Sequence, residues 1–237
     1  MFSYLLSKWQ KPLCASSEVH IKSVLQYISS SYPSNHNYSI VKGQCIPKRK
    51  LAARYKIIRT LFPEPLTSLA DLGCSKGFFV FSASAHPQCI RTLGIDVNEH
   101  DIQVCRTLSE YLKNDRVCFE KYRLHELVQH IEEHGGPFQT VLIINQYQYL
   151  FFGSDTFPDA YLDHDIIFRD LRKICSQRII FNNRIDLQDC QNTARIQAAS
   201  DFRAIYTEEK VREAASRYFR VVKHGTLGRY PLWTLHV

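Results

Sequence analysis

Residues 68–81 read SLADLGCSKGFFVF: a short apolar run, a turn carrying Gly73 and Gly77, and a second apolar run that opens a helix. A strand passing through a glycine turn straight into a helix is the anion-binding corner of a doubly wound sheet. Glycine lets backbone approach a ligand, and the helix start offers unpaired N–H groups. The spacing Asp71-x-Gly73-x-x-x-Gly77 is not the dinucleotide pattern G-x-G-x-x-G, and the Lys-Ser/Thr ending of a phosphate-binding P-loop is missing. A different nucleotide-derived ligand is indicated.

About twenty residues further on, IRTLGIDVNEHDIQVCRTL (residues 90–108) ends an apolar run in Asp96 and continues as an amphipathic helix. In a doubly wound sheet this second strand finishes beside the first, so a carboxylate there can accept both hydroxyls of a ribose diol. Asp96 as the cap of the helix that starts near Val97 or Asn98 is the alternative.

The remaining chain alternates in the same way. Strands are expected at 68–74, 90–96, 116–121, 138–145 and 178–183, and helices at 76–85, 98–113, 124–134 and 158–174, with Gly135-Gly136-Pro137 stopping the third. A polar stretch from 184 to about 205, a helix at 207–217 and closing strands at 219–224 and 231–237 follow. The expected fold is α/β: a doubly wound, mostly parallel seven-stranded sheet with a C-terminal antiparallel hairpin (63–237), preceded by an N-terminal helical and basic extension (1–62). Within that extension, 17–32 has helical spacing at Val24, Leu25 and Ile28 with Ser17 as cap, and the serine-rich SSSYPSNHNYS reads as a connector.

The turn resembles the first motif of class I S-adenosylmethionine-dependent methyltransferases, D-x-G-x-G-x-G, with Asp71, Gly73 and Gly77 in place and Ser75 at the middle glycine. That resemblance implies S-adenosylmethionine as cofactor, held by Asp71, Gly73, Ser75, Gly77 and Asp96, with Asn145 at the end of the fourth strand. A weaker resemblance joins Gly43, Gln44 and Arg54 to a pattern in bacterial methyltransferases that modify the wobble uridine of transfer RNA. Families differ where the fourth strand ends, and here the run is Asn145-Gln146-Tyr147-Gln148-Tyr149. The Asn-Pro-Pro-Tyr of exocyclic-amine methylation is absent, and Gln148 stands where the wobble-uridine group has a histidine. Past the third strand, Tyr122-Arg123-Leu124-His125 offers no acidic partner for an adenine amino group.

Methyl transfer from a sulfonium needs alignment more than activation, so a base is required only for a protonated acceptor. The candidates are His164, Asp163, Asp165 and Tyr147. Against them stands the reading of the Asp-His-Asp cluster as a helix surface and of Tyr147 and Tyr149 as core aromatics. If the strand continues, alternation points Asn145, Tyr147 and Tyr149 the same way. For substrate contacts the candidates are Arg54, Gln148, Asn183 and Arg184, with Asn182 and Arg195 in the polar stretch and Arg229 and Tyr230 in the closing hairpin.

Composition bounds the partners. The net charge is +7 over 237 residues, and Lys42, Lys48, Arg49, Lys50, Arg54, Lys56 and Arg59 gather ahead of the first strand, beside Tyr38, Tyr55 and Phe62. An anionic acceptor is expected, with RNA favoured over a small metabolite because those aromatics could stack on bases. A small-molecule O- or N-methyltransferase is one alternative, and a non-catalytic binding module on the same fold is another. The eight cysteines form no C-x-x-C pair and the histidines no H-E-x-x-H, so reduced core thiols and no metal are expected. Cys74, beside a helix N-terminus, is the one candidate for an acidified thiol. No apolar run reaches the roughly eighteen residues of a membrane span, and a cytoplasmic protein is expected.

Overall fold

The computed structural model describes residues 15–154, 158–190 and 202–237. Helix α1 (Ala15–Ser30) leads into an antiparallel hairpin, β1 (Tyr38–Val41) and β2 (Gln44–Pro47), and then helix α2 (Arg49–Ile58). The hairpin turn is Lys42-Gly43, both with positive φ (51° and 76°), as a two-residue type I′ turn demands. Sequence reading ends the connector at Ser39 and assigns no element to the basic segment after it, so it misses the hairpin, since Lys-Gly lacks the Asn-Gly signal of such turns. Ser17 lies inside α1 rather than capping it.

A seven-stranded sheet follows, in the order β5-β4-β3-β6-β7-β9-β8. Strands β3 (Ser68–Leu72), β4 (Arg91–Ile95), β5 (Val117–Glu120), β6 (Phe138–Ile144) and β7 (Cys175–Asn182) run parallel. Strands β8 (Arg220–Leu227) and β9 (Tyr230–His236) form the antiparallel hairpin, with β9 inserted between β7 and β8. The order reverses between β3 and β6, and the register there pairs Leu72 with both Ile95 and Ile143. Three parallel strands therefore end level, at the switch point where doubly wound sheets bind ligands.

Period-two alternation divides the sheet between two cores. Leu69, Leu142, Ile180 and Leu232 face Val24 and Ile28 of α1, Leu51 and Ile58 of α2, and the helices α3 (Phe78–Ser84) and α4 (Glu99–Leu112). Ala70, Val141, Ile143, Ile179, Phe181 and Trp233 face α5 (Leu124–His130), α6 (Tyr147–Phe152), α7 (His164–Ile174) and α8 (Glu208–Ser216). The N-terminal segment thus packs into the same core as the helices that follow the glycine turn.

The elements agree with expectation except where local chemistry intervenes. Strand β6 stops at Ile144 because Asn145 adopts a left-handed conformation (φ 57°), and residues expected to extend it form α6 instead. Tyr147 and Tyr149 therefore do not share a direction with Asn145. Helix α7 starts at His164 rather than at 158, because Asp163 caps it, accepting from the N–H groups of Asp165 (2.7 Å) and Ile166 (3.2 Å).

Candidate functional site

At the carboxyl ends of the central strands lies a cavity of about 370 Å³, within the range of small-molecule sites. Its wall takes Gly73 from the turn after β3, Asp96 and Val97 after β4, residues 122–125 after β5, and Gln146, Tyr149 and Leu150 after β6. Asp96 is held in place from both sides. Its Oδ2 accepts from the Ser75 N–H (2.9 Å) and its Oδ1 from the Asn98 N–H (3.0 Å). The cap of α4 is Asn98, whose Oδ1 accepts from His100 and Asp101, so the capping alternative for Asp96 falls. Each carboxylate oxygen has room for a second donor, which leaves Asp96 able to take a pair of hydroxyls.

The three small residues of the turn have different tasks. Gly73 (φ 74°) stands on the cavity wall, and a Cβ there would come within 2.4–2.9 Å of the Gln146 carboxamide. Ser75 has φ 49°, a conformation suited to glycine, and its hydroxyl lies 3.2 Å from His36 Nδ1. Gly77 (φ 76°) corrects an expectation, because it faces the core: a Cβ would lie 2.9 Å from Cys105 Sγ and 3.0 Å from Phe119. It lets α3 pack closely and lines neither cavity described here. Cys74 is buried, and burial pushes its thiol well up, the opposite of an acidified nucleophile.

A smaller recess of about 30 Å³ lies on the other side of Gly73, walled by His36, Arg54, Asp71 and Lys76 among others. Arg54 Nη2 donates to the Asn35 carbonyl (2.7 Å). Burial, and secondly the charge of Asp96, push the Asp71 carboxyl up to about 7, against the pull of Arg54. Burial lowers His36 to about 3, helped by Arg54 and Lys76, so it is neutral. Asp71 carries a pH signature. Its folded pKa is raised, so between about 4 and 7 the native state binds the extra proton, and its contribution to stability is lost as pH rises through 7. Asp71→Asn is therefore expected to gain stability over the parent at pH 8 and to lose that advantage at pH 4, measured by urea unfolding at both values.

Lys76, in the glycine turn itself, is buried at 1% exposure. Its ammonium donates to the Ser31 carbonyl (2.9 Å) and to Asn37 Oδ1 (2.5 Å), over the Tyr27 ring at 5.3 Å. Burial lowers it to about 8. The Tyr38 hydroxyl donates to the Lys76 carbonyl (2.6 Å) and the Tyr27 hydroxyl to Asp101 (2.8 Å). These bonds fasten the N-terminal segment to the turn. Sequence reading misses Lys76, whose partners are mostly backbone carbonyls some 40 residues earlier that carry no residue-type signal.

The expected bases do not reach either cavity. Tyr147 is fully buried in α6, its hydroxyl 2.7 Å from His164 Nδ1, and His164 Nε2 lies 3.0 Å from the Ile205 carbonyl. A carbonyl only accepts, so Nε2 carries the hydrogen and Nδ1 accepts from the phenol. Burial lowers the His164 pKa and raises that of Tyr147, and the rings stack at 15°. Asp163 is a helix cap and Asp165 pairs with Arg217 (2.9 Å) and Tyr218 (2.6 Å). This corrects the catalytic assignment of His164 and Tyr147, which form a structural pair.

Other candidates serve as scaffold. Asn183 Oδ1 accepts from the N–H groups of Gln146 (2.7 Å) and Tyr147 (2.9 Å), and its Nδ2 donates to the Ile143 carbonyl (2.7 Å), so it shapes the wall without lining it. Gln148 is buried away from both cavities, and Asn145 lines neither; Gln146, the residue between, is the one on the wall. The Asn145 Oδ1 is buried with no hydrogen-bond partner among the described residues. Arg184 meets Tyr230, while Arg195 lies outside the described residues. His125, at the exposed start of α5, also stands on the cavity wall, as does Asp159, paired with Arg123.

The aromatic side chains expected to stack on bases are not available. Tyr38 and Phe62 are buried, and Tyr55 packs edge-on against Phe78 at 5.2 Å. Of the basic cluster, Arg54 turns inward, and Lys42, Lys48, Arg49, Lys50, Lys56 and Arg59 are exposed. Among the described residues no group of three His, Cys, Asp or Glu side chains could hold a metal, and no helix is long and apolar enough to cross a membrane.

No family model matches the chain. The O-antigen chain terminator bifunctional methyltransferase/kinase WbdD of Escherichia coli is 29% identical over 100 residues, which are 42% of this chain and 13% of WbdD. Among solved structures, PH0226 from Pyrococcus horikoshii OT3 superposes with a TM-score of 0.57 at 14% identity, covering 92% of this chain and 97% of that one. EvdMO1 gives 0.60 at 10% identity, covering 92% and 47%. An O-methyltransferase family protein from Burkholderia thailandensis gives 0.53 at 14%, covering 79% and 56%. The fold is the Rossmann-like fold of these proteins. The likeness of Gly43, Gln44 and Arg54 to wobble-uridine enzymes finds no support in them, and Gly43 has a local reason, the hairpin turn.

Proposed function

We propose that the chain is an S-adenosylmethionine-dependent methyltransferase acting on a small anionic acceptor. The observation that supports this most is the meeting of Gly73 and Asp96 on one cavity at the switch point of the sheet. Asp96 would take the ribose hydroxyls, the bare backbone at Gly73 admits the donor, and the recess at Arg54 suits its amino-acid carboxylate. When bound, the sulfonium supplies an activated methyl group, so this chain's residues have to orient the acceptor and exclude water. The partial similarity to WbdD agrees with methyl transfer, one of the two activities in that protein's name.

Tyr147 and His164 are engaged behind the wall, so an acceptor oxygen that is already ionised needs no base, whereas a protonated one would have to use a group on the wall itself, His125 or Asp159. RNA loses its place as first choice with the burial of Tyr38 and Phe62. Tyr147→Phe is expected to cost about 1 kcal/mol of stability through the lost hydrogen bond while cofactor affinity stays within about twofold. Urea unfolding and calorimetry check the two parts.

The test is incubation with methyl-labelled S-adenosylmethionine and separated RNA, protein and small-molecule fractions from cells. Label in acidic metabolites is the expected result. Label confined to RNA would overturn the acceptor class, and cofactor binding without label in any fraction would point to a non-catalytic module.

A further inference from the structure

Two guanidinium groups converge on one phenol beside the polar stretch that follows β7. Arg184 Nε donates to the Tyr230 hydroxyl oxygen at 2.9 Å and Arg229 Nε to the same oxygen at 3.1 Å. Each also lies against the Tyr230 ring, 5.1 and 5.3 Å from its centroid. Among the described residues one carboxylate pairs with the cluster, Asp189, 3.7 Å from Arg229 Nε, so there two positive charges face one negative. Among the described residues the terminal nitrogens of both guanidiniums have no hydrogen-bond partner. Like charges brought together on a single neutral acceptor are stabilised when an anion completes the set, and guanidinium forks match oxyanions two bonds at a time.

The backbone that carries the cluster is fastened by hydrogen bonds. Asn182 Nδ2 donates to the carbonyls of Leu227 (3.4 Å), Tyr230 (3.0 Å) and Pro231 (3.0 Å), pinning the Gly228-Arg229 turn against β7. The Tyr206 hydroxyl donates to the Arg184 carbonyl (2.7 Å). Burial pushes the Tyr230 phenol up, but the two arginines outweigh it and its pKa falls below the ordinary value, a sign of local positive potential. Position matters as well. Asn182 pairs in register with Ile144, and Asn183, next to Arg184, holds the N–H of Gln146 on the cavity wall. The cluster therefore sits at the carboxyl end of β7, outside the lining of both cavities, while Asp96 lies at the end of β4.

We infer that Arg184, Arg229 and Tyr230 form an oxyanion subsite that anchors the acceptor by a phosphate or carboxylate group. The inference rests on the methyltransferase reading for the word acceptor, but the anion site is testable without it. Protein labelled with ¹³C at tyrosine Cζ is titrated separately with inorganic phosphate and with acetate, the Tyr230 signal being assigned from Tyr230→Phe. Saturable binding in the millimolar range is expected, weakened at least about tenfold in Arg229→Gln and abolished in the double variant with Arg184→Gln. The tighter of the two anions names the source of the charge. Arg229 sits on an exposed turn, so Arg229→Gln keeps the test open should Arg184→Gln not fold. S-Adenosylmethionine should bind Arg229→Gln as it binds the parent. No saturable shift with either anion, or equal binding by the parent and Arg229→Gln, overturns the subsite and leaves the methyltransferase reading standing. Failure of the parent to bind S-adenosylmethionine has the reverse meaning.

Discussion

Asp96→Ala is expected to weaken S-adenosylmethionine binding by at least about a hundredfold, because two hydrogen bonds to a charged oxygen are lost together. The carboxylate sits on the cavity wall, already oriented by the N–H groups of Ser75 and Asn98, so no rearrangement precedes its use. Preorganisation of that kind makes deletion costly. Two controls separate recognition from scaffolding. Asp96→Asn keeps one accepting oxygen and so only one of the two backbone bonds; it should lose affinity by about tenfold, less than Asp96→Ala, and its unfolding midpoint should fall because the other N–H then faces an NH2 group. Asp96→Ala should also bring the Asp71 pKa down from about 7, because the Asp96 charge contributes to raising it, and NMR titration reads that change. Unaltered affinity in Asp96→Ala would remove Asp96 from the site.

Gly77→Ala is expected to destabilise the protein by about 2–4 kcal/mol while leaving the cavity intact. Two terms add. The left-handed conformation (φ 76°) disfavours any side chain, and the new methyl would meet Cys105 Sγ and Phe119, both in the core and unable to withdraw. Against a typical total of about 5–15 kcal/mol this is a large fraction. Gly73→Ala makes a useful contrast: its methyl meets the far end of the flexible Gln146 side chain, so the stability loss should be smaller and the affinity loss larger. Urea unfolding and calorimetry on the pair distinguish them. A Gly77→Ala protein as stable as the parent but deficient in cofactor binding would show that Gly77 faces the ligand.

What could be read from the sequence was what lies within one stretch of chain. Asp71, Gly73, Gly77 and Asp96 fall within about thirty residues, so strand–turn–helix order and the second-strand carboxylate could be recognised without knowing any long-range contact. The closing hairpin was legible for the same reason. The errors arose where tertiary contacts decide. QYQYLFF has the aromatic alternation of a strand, yet Asn145 turns left-handed and Asn183, 36 residues away, holds the Tyr147 N–H that begins α6. Gln146 rather than Asn145 then faces the cavity, a one-residue shift that pattern alone does not reveal. Of the two readings of the Asp-His-Asp cluster, acid–base machinery or helix surface, the second fits Asp163, which caps α7, and Asp165, which pairs with a surface arginine, while His164 turns inward to a buried phenol. Tyr38 and Phe62 looked like stacking platforms because they neighbour basic residues, and both proved to be core side chains under α1 and α3.

Isothermal titration of the parent protein with S-adenosylmethionine is the most direct test of the central claim. Binding in the micromolar range, lost in Asp96→Ala and retained in Tyr147→Phe, is the result predicted here. No heat of binding at millimolar cofactor, from protein shown to be folded, would contradict the assignment of the cavity at Gly73 and Asp96.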